Sequence, residues 1–98
     1  MPAYFVAQYS VNDADGYRRY QQGAVPTVAA AGAKVIAFDA AAESIEGTPP
    51  GPQTVILEFE DTAAAKAWYD SAEYQQVVGL RLESTDGFAV LAQSMNQG

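Results

Sequence analysis

The stretch from Asp61 to Glu83 reads DTAAAKAWYDSAEYQQVVGLRLE, and the fold prediction starts from it. Its alanines are strong helix formers, and Asp61 or Thr62 can accept hydrogen bonds from the free amides of a first helical turn. Ser71 offers a second cap of the same kind. The stretch is therefore predicted to form two helical segments that join at Asp70 and Ser71.

An apolar stripe runs along the second segment and carries a cation. The stripe follows the i, i+3, i+4, i+7 spacing of one helix face at Tyr74, Val77, Val78 and Arg81. Gly79 makes this prediction conditional, because glycine costs about 1 kcal/mol in a helix interior and can end the helix before Arg81.

Hydrophobic periodicity and turn residues define the other segments. They are strands at residues 3–11, 34–40, 54–60 and 85–93, a helix that ends near Ala31, a loop at residues 41–53 and a frayed tail at residues 94–98. The order β-α-β-β-α-β predicts a single α+β domain, a ferredoxin-like sandwich. In this arrangement, right-handed crossovers place both helices on one face of an antiparallel sheet.

The first helix has clear signals at both ends. Asn12 and Asp13 supply a turn and a helix cap, and Gly32 is a plausible C-terminal cap. Gly23 and Pro26 are expected to bend the helix, because proline removes an amide donor and crowds the preceding turn.

The second strand is predicted to alternate strictly. Its side chains would then point to one face at Val35 and Ala37 and to the other face at Ile36 and Phe38. The loop that follows is rich in proline and glycine, and a short edge pairing is predicted at residues 44–46.

Both faces of the predicted sheet carry apolar side chains, among them Ile36, Phe38, Ile56 and Leu91. A sheet that is covered by helices on one face only should be polar on the other. A second copy of the same sheet is the simplest cover. The sequence therefore predicts a two-fold homodimer whose sheets close a dimeric α/β barrel.

Residues 65–75, AKAWYDSAEYQ, and the following Leu80-Arg81 resemble the signature of the DUF1330 family of small, uncharacterised bacterial proteins. Other short motifs agree in order and spacing, namely Pro2-Ala3-Tyr4, Tyr17, Tyr20, Pro26-Thr27, Gly32 and Glu46-Gly47. The resemblance implies a ferredoxin-like fold that dimerises into an α/β barrel. It implies no established reaction and names no substrate.

Composition excludes several classes of function. The chain has 98 residues, of which 49% are apolar, so it can build one modest core. Its net charge of −7 argues against nucleic acid and anionic membranes as partners, since both require clustered Lys and Arg. The sequence contains no cysteine and no histidine. Thiolate nucleophiles, Cys/His zinc sites, His-ligated haem and histidine general bases are therefore excluded, and no metal or cofactor is predicted.

The first five residues lack the basic segment and long apolar core of a signal peptide, and no apolar run approaches the length of a membrane span. The expected localisation is cytoplasmic.

Arg81 is the leading candidate for a ligand-binding residue. In the functional interpretation, its guanidinium points into a cleft and holds a carboxylate or phosphate. In the structural interpretation, it forms an ion pair with Glu58 or Glu83, or it snorkels to the surface.

The two helical regions also carry an aromatic group, made up of Tyr17, Tyr20, Trp68, Tyr69 and Tyr74. These side chains either line an apolar pocket, with phenols that orient a ligand, or form core with their hydroxyls satisfied at the surface. We select Tyr20 and Tyr69 as candidate ligand contacts, together with Thr27 on the inward stripe of the first helix. The structural alternative for Thr27 is a hydrogen bond back to the carbonyl of Gly23.

Glu58 is a weaker candidate, for a catalytic role. If the Thr54–Ile56 side of its strand lines the dimer barrel, the carboxylate is partly buried and can accept a proton from an acidic C–H group. If the register is reversed, Glu58 is an ordinary charge facing solvent.

Three hypotheses of function follow. The first is a small-molecule binding module with a pocket between helices and sheet, lined by Tyr20, Thr27, Tyr69 and Arg81. The second, by fold analogy, is an enzyme similar to cofactor-independent monooxygenases or isomerases. The third is a structural dimer whose partners are other proteins.

Overall fold

A computed structural model describes residues 1–95 of the protein. The elements are β1 (Ala3–Val11), α1 (Ala14–Ala30), β2 (Lys34–Asp39), β3 (Gln53–Phe59), α2 (Thr62–Asp70), α3 (Ala72–Ser84) and β4 (Thr85–Gln93). The predicted α+β order is confirmed, with the second helical region divided in two. The predicted frayed tail lies outside the described residues at positions 96–98. At its first residue, the amide of Ser94 donates a hydrogen bond to the carbonyl of Pro2.

Within the described residues, the strands form one four-stranded sheet in the order β2-β3-β1-β4, and every neighbouring pair is antiparallel. Helix α1 connects β1 to β2 across β3, and the α2–α3 region connects β3 to β4 across β1. Each crossover therefore spans an intervening strand, which is the ferredoxin-like arrangement that the sequence predicts.

The core lies between the helices and one face of the sheet. Strand β1 alternates strictly, so that Ala3, Phe5, Ala7 and Tyr9 are buried beneath the helices. Strand β3 contributes Val55, Leu57 and Phe59 to the same layer. The packing centres on aromatic rings, because Trp68 contacts Phe5, Phe59, Tyr69 and Tyr74 at centroid distances from 4.1 to 6.2 Å.

The predicted alternation of β2 is wrong, because the strand contains an irregularity between Val35 and Ala37. Val35 pairs with Leu57 and Phe38 pairs with Val55, so Val35 and Phe38 lie on the same, helix-facing side. An extra residue in one strand shifts the two-residue period by one position. The edge pairing predicted at residues 44–46 is also wrong, since this segment of the described chain pairs with no strand.

Helices α2 and α3 are capped as the sequence predicts. The Asp61 carboxylate accepts a hydrogen bond of 2.8 Å from the amide of Ala64, which starts α2. At the joint, the Ser71 hydroxyl accepts from the amide of Tyr74 and donates to the carbonyl of Trp68. The serine thus ends one helix and begins the next. Helix α3 continues through Gly79 and buries Arg81, as the conditional prediction requires.

Helix α1 begins at an Asp13 cap and contains Pro26 in its last turns. The chain leaves the helix through Gly32 at φ 71°, where the absence of a Cβ makes the left-handed conformation inexpensive. The predicted C-terminal cap is confirmed.

The second face of the sheet lies uncovered in the single chain. Val6 and Ile56 form a cross-strand pair at its centre, and Val90 pairs with Val6 on the other side. Val90 is 51% exposed and Phe88, on the same face, is 46% exposed. The helices and sheet thus make two layers, with one apolar sheet surface outward.

Among residues 1–95, we find no helix with the length and hydrophobicity that crossing a membrane requires.

Candidate functional site

A cavity of about 220 Å³ lies between α1 and the β2–β3 side of the sheet. Its walls are mainly aliphatic and aromatic. The residues that line it are Phe5, Tyr9, Tyr17, Tyr20, Gln21, Ala24, Val25, Val28, Ala29, Ala33, Val35, Phe38, Val55, Leu57 and Trp68. Helix α1 packs mainly on α3, and space remains between α1 and the edge strand β2. The cavity has the apolar, concave character of small-molecule sites.

Two pairs of tyrosine hydroxyls join the elements around one end of this cavity. The hydroxyls of Tyr9 and Tyr17 lie 2.8 Å apart, and those of Tyr20 and Tyr74 lie 2.7 Å apart. In each pair, either oxygen can be the donor. The first pair connects β1 to α1, and the second connects α1 to α3. Each pair is therefore joined by one hydrogen bond inside the protein, and three of the four residues also line the cavity.

Arg81 is buried beside these phenols without an anionic partner. Its residue is 6% exposed, and its guanidinium carbon lies 5.7 Å from the centroid of the Tyr9 ring. Within the described residues, no carboxylate forms an ion pair with Arg81. The structural interpretations for this side chain, an ion pair with Glu58 or Glu83 or a snorkelling position, are therefore wrong. A buried cation over a ring gains about 2 kcal/mol, which offsets only part of a desolvation penalty of several kcal/mol.

Burial controls the ionisation of this cluster. It raises the pKa of Tyr9, Tyr17, Tyr20 and Tyr74 above the ordinary value of a phenol. Burial acts in the opposite direction on Arg81, but its pKa is raised by attraction to Tyr74, Tyr20 and Tyr9, which operates once these phenols ionise. The phenols are consequently neutral and the guanidinium is charged at physiological pH.

Two buried donors near Tyr9 have no hydrogen-bond partner within residues 1–95. They are Nε of Arg81 and Nε2 of Gln53. Gln53 is the cross-strand neighbour of Tyr9 on the helix-facing side of β3. A buried donor without an acceptor costs about 1–3 kcal/mol, so native proteins rarely leave two of them together.

The structure distributes the four predicted ligand contacts over several places. Tyr20 lines the cavity described above. Thr27 lines a separate groove between α1 and α2, and Tyr69 lines a third concavity near β4. Arg81 lies beside the phenols that line the main cavity but does not itself line it. The fold thus brings Tyr20 and Arg81 into one cluster, and it leaves Thr27 and Tyr69 outside that cluster.

Thr27 has a defined structural contact. Its hydroxyl donates to the carbonyl of Ala24 at 2.6 Å and accepts from Nε1 of Trp68 at 3.0 Å. The predicted hydrogen bond to the Gly23 carbonyl is wrong, because the acceptor is the carbonyl of the next residue, Ala24. The hydroxyl satisfies the indole of the central core residue and ties α1 to α2.

Glu58 lies on the uncovered face of the sheet, opposite the helices. It is half-buried on the Thr54–Ile56 side of β3, and its cross-strand neighbours are Tyr4 and Lys34. A ligand in the cavity between α1 and β2 is therefore on the other side of the sheet from this carboxylate.

Sequence reasoning did not select Tyr9 or the β2 residues that line the cavity. Tyr9 shares the buried face of β1 with Ala7 and Phe5, which marks it as a core residue. Its bond to Tyr17 depends on how α1 crosses the sheet. Val35 and Phe38 share the cavity wall only because of the irregularity in β2. Among the described residues, no group of three or more His, Cys, Asp or Glu side chains is arranged to hold a metal ion.

The two-layer fold places the protein in a class of ferredoxin-like α+β domains with solved structures. One is the RPA0582 protein of unknown function from Rhodopseudomonas palustris, with a TM-score of 0.77, 16% identity, and coverage of 97% of this chain and 83% of that one. Another is HapK from Hahella chejuensis, with a TM-score of 0.65, 16% identity, and coverage of 98% and 95%. A putative antibiotic biosynthesis monooxygenase from Nitrosomonas europaea has a TM-score of 0.56, 11% identity, and coverage of 97% and 92%. At these identities, the likeness extends to the fold alone.

The family is narrower than the fold. Residues 2–95 match the family described as Domain of unknown function (DUF1330), and the protein belongs to that family. The sequence resemblance is confirmed over nearly the whole chain. No match was found among curated proteins.

Proposed function

We propose that the protein binds a small, largely apolar molecule in the cavity between α1 and the β2–β3 side of the sheet. The single observation that carries this proposal is the cavity itself, which has a volume of about 220 Å³ and walls that are mainly aliphatic and aromatic. Such a space can exclude water from an apolar ligand, while the phenols of Tyr9, Tyr17 and Tyr20 supply a polar end.

Naphthalene is a suitable neutral probe, and its binding can be followed by ¹H–¹⁵N NMR titration. Val28→Trp should reduce naphthalene affinity at least tenfold, because Val28 is half-buried and lines the cavity. Gln22→Trp adds the same indole to an exposed position of α1 and serves as the matched control. If both variants bind naphthalene as the wild type does, the probe occupies another surface and the proposal fails.

The proposal includes a homodimer formed through the uncovered face of the sheet. Val6, Ile56 and Val90 make this face apolar along its centre, and burying such a surface against a second copy removes it from water. The ligand cavity lies on the opposite, helical side, so each protomer would hold its own cavity. Glu58 would then lie at the interface between protomers rather than at the ligand.

Catalysis in the same cavity is the second candidate function. It is favoured by the likeness to a protein named as a putative antibiotic biosynthesis monooxygenase, and by hydroxyl groups beside a buried cation. Such an arrangement can stabilise negative charge on a substrate without a cofactor. A ligand recovered with the purified protein should then be consumed on incubation with air. Tight retention over hours without a product favours binding alone, and an empty cavity favours a purely structural dimer.

A further inference from the structure

The Tyr9 end of the cavity holds a hydrogen-bond donor that the protein does not use. Tyr9 and Tyr17 both line the cavity, and their hydroxyls lie 2.8 Å apart. Two hydroxyls carry two protons, and the bond between them uses one, so the accepting hydroxyl keeps its own proton. Within the part of the chain that the structure describes, neither hydroxyl has another hydrogen-bond partner. One phenol proton of these two cavity-lining residues is therefore free to donate, whichever oxygen is the acceptor of the pair.

Further donors and a positive charge lie beside the same tyrosine. The Arg81 guanidinium lies 5.7 Å from the Tyr9 ring centroid, and Gln53 is the cross-strand neighbour of Tyr9. Among residues 1–95, Nε of Arg81 and Nε2 of Gln53 are buried without partners. An arginine has donors only, so Arg81 cannot accept the free phenol proton. No carboxylate of the described chain balances the charge of Arg81.

We propose that the ligand of this cavity is a flat apolar acid. Its ionised oxygen accepts a hydrogen bond from the free hydroxyl of the Tyr9–Tyr17 pair, and the positive charge of Arg81 balances the negative charge of the ligand. The inference rests on the proposed function and names the class of molecule that the cavity takes. The apolar body of the acid lies along α1 and β2, and its carboxylate or phenolate lies at the Tyr9 end. Arg81 acts through its charge, which low-polarity surroundings screen weakly.

The competing possibility is a neutral ligand, and the two possibilities differ in the sign of one measurable quantity. An apolar cavity without an anion site raises the pKa of a bound phenol, because it disfavours the charged form. A cavity with donors and a cation at one end lowers that pKa. The ionisation of a bound phenol therefore distinguishes a true oxyanion site from a merely apolar one.

The experiment is a spectrophotometric pH titration of 4-nitrophenol, free and in the presence of excess wild-type protein. We expect the pKa of the bound probe to lie about one pH unit below that of the free probe. This difference corresponds to tenfold tighter binding of the phenolate than of the neutral phenol. A raised pKa overturns the inference and leaves the proposed cavity intact, since the probe is then bound. Binding of naphthalene without any binding of 4-nitrophenol also overturns the inference alone. Failure of both probes overturns the inference together with the proposed function.

Variants locate the effect at the named residues. Arg81→Met should move the pKa of bound 4-nitrophenol above that of the free probe, because the cation is removed and the apolar walls remain. The double variant Tyr9→Phe/Tyr17→Phe removes both hydroxyls and keeps the rings, so it should bind the phenolate at least tenfold more weakly. This variant tests the inference even if Arg81→Met does not fold. Tyr4→Phe removes a phenol from the opposite face of the sheet and should bind as the wild type does. Phenolate binding that is unchanged in the double variant would overturn the assignment.

Discussion

At the scale of single residues, Arg81 is the side chain whose buried position contributes least clearly to the stability of the fold. It lies buried beside Tyr9, and its charge has no carboxylate partner among the described residues. A buried, uncompensated charge weakens a fold, and apolar residues of similar volume often stabilise it instead. We therefore propose that Arg81 serves ligand binding rather than folding.

This assignment predicts that Arg81→Met weakens binding of 4-nitrophenolate without lowering the free energy of unfolding, because a charge buried without a carboxylate partner is replaced by an apolar side chain. Urea unfolding followed by the single tryptophan, Trp68, provides the measurement. Arg18→Met is the matched control, because Arg18 pairs with Asp15 on the surface and such exposed pairs contribute at most about 1 kcal/mol. A large loss of stability in Arg81→Met would instead make Arg81 a structural residue.

The sequence predicts the burial of Arg81 but not its surroundings. The spacing of Tyr74, Val78 and Arg81 defines one face of α3, and that periodicity is local information. The hydroxyl pair of Tyr20 and Tyr74 joins residues 54 positions apart, and its formation depends on how two helices cross. The helical spacing of the first helix therefore predicts that Tyr20 faces inward, but it does not predict the hydrogen bond between Tyr20 and Tyr74. Thr27 shares the stripe of Tyr20 and Tyr69 shares its aromatic group, yet both line other concavities.

At the scale of secondary structure elements, the contact between α1 and α3 determines where the cavity lies. Gly23 of α1 packs against Val77 of α3, and a Cβ at position 23 would collide with the valine side chain. The close approach draws α1 toward α3. The cavity occupies the space that remains on the other side of α1, next to β2.

Two glycine substitutions of the same kind should have opposite effects on stability. Gly79→Ala should stabilise the protein by about 0.5–1 kcal/mol, because a Cβ there meets no atom within 4 Å and alanine favours the helix. Gly23→Ala should destabilise it by about 1–3 kcal/mol through overpacking against Val77. Thermal unfolding of the two variants gives the comparison. Equal effects of both would show that the α1–α3 contact is looser than described.

The faces that the β2 side chains occupy could not be predicted from the sequence. Strict alternation predicts opposite faces for Val35 and Phe38, and the irregularity at Ile36 places them on the same wall of the cavity. Such an irregularity arises from pairing with β3, and no residue pattern within β2 marks it. The helix caps at Asp13, Asp61 and Ser71 were predictable because each depends on a side chain and an amide three residues away.

At the scale of the whole molecule, the helices cover one face of the sheet and leave the other apolar. The Cα atoms span 39 × 35 × 15 Å, which matches a thin body of two layers. A lysine at the centre of the uncovered face should therefore oppose the proposed dimer, because it would bury an unpaired charge.

We expect Val90→Lys to weaken dimerisation at least tenfold in sedimentation velocity experiments. Leu82→Lys is the matched control, since Leu82 is 60% exposed on α3, away from the sheet. A wild-type protein that sediments as a monomer at high concentration would contradict the proposed dimer. So would a Val90→Lys variant with unchanged self-association.

The buried phenols predict that the free energy of unfolding falls at alkaline pH. Burial raises the pKa of Tyr9, Tyr17, Tyr20 and Tyr74 in the folded state, so above about pH 10 the unfolded chain releases protons that the folded chain retains. Stability should be fully present below that pH and should fall as the pH rises, by up to about 5 kcal/mol per pH unit. Phenolate absorbance from these residues should appear together with the loss of helical circular dichroism. Their ionisation in a protein that stays folded would contradict the buried arrangement.

The position of a bound apolar probe tests the central claim most directly. Isotope-filtered NMR with ¹³C-labelled protein detects nuclear Overhauser contacts between naphthalene protons and methyl groups. We predict contacts to Val28, Val35 and Leu57, which line the cavity between α1 and the sheet. Contacts confined to Val6, Ile56 and Val90 would place the probe on the uncovered face of the sheet and would contradict the account.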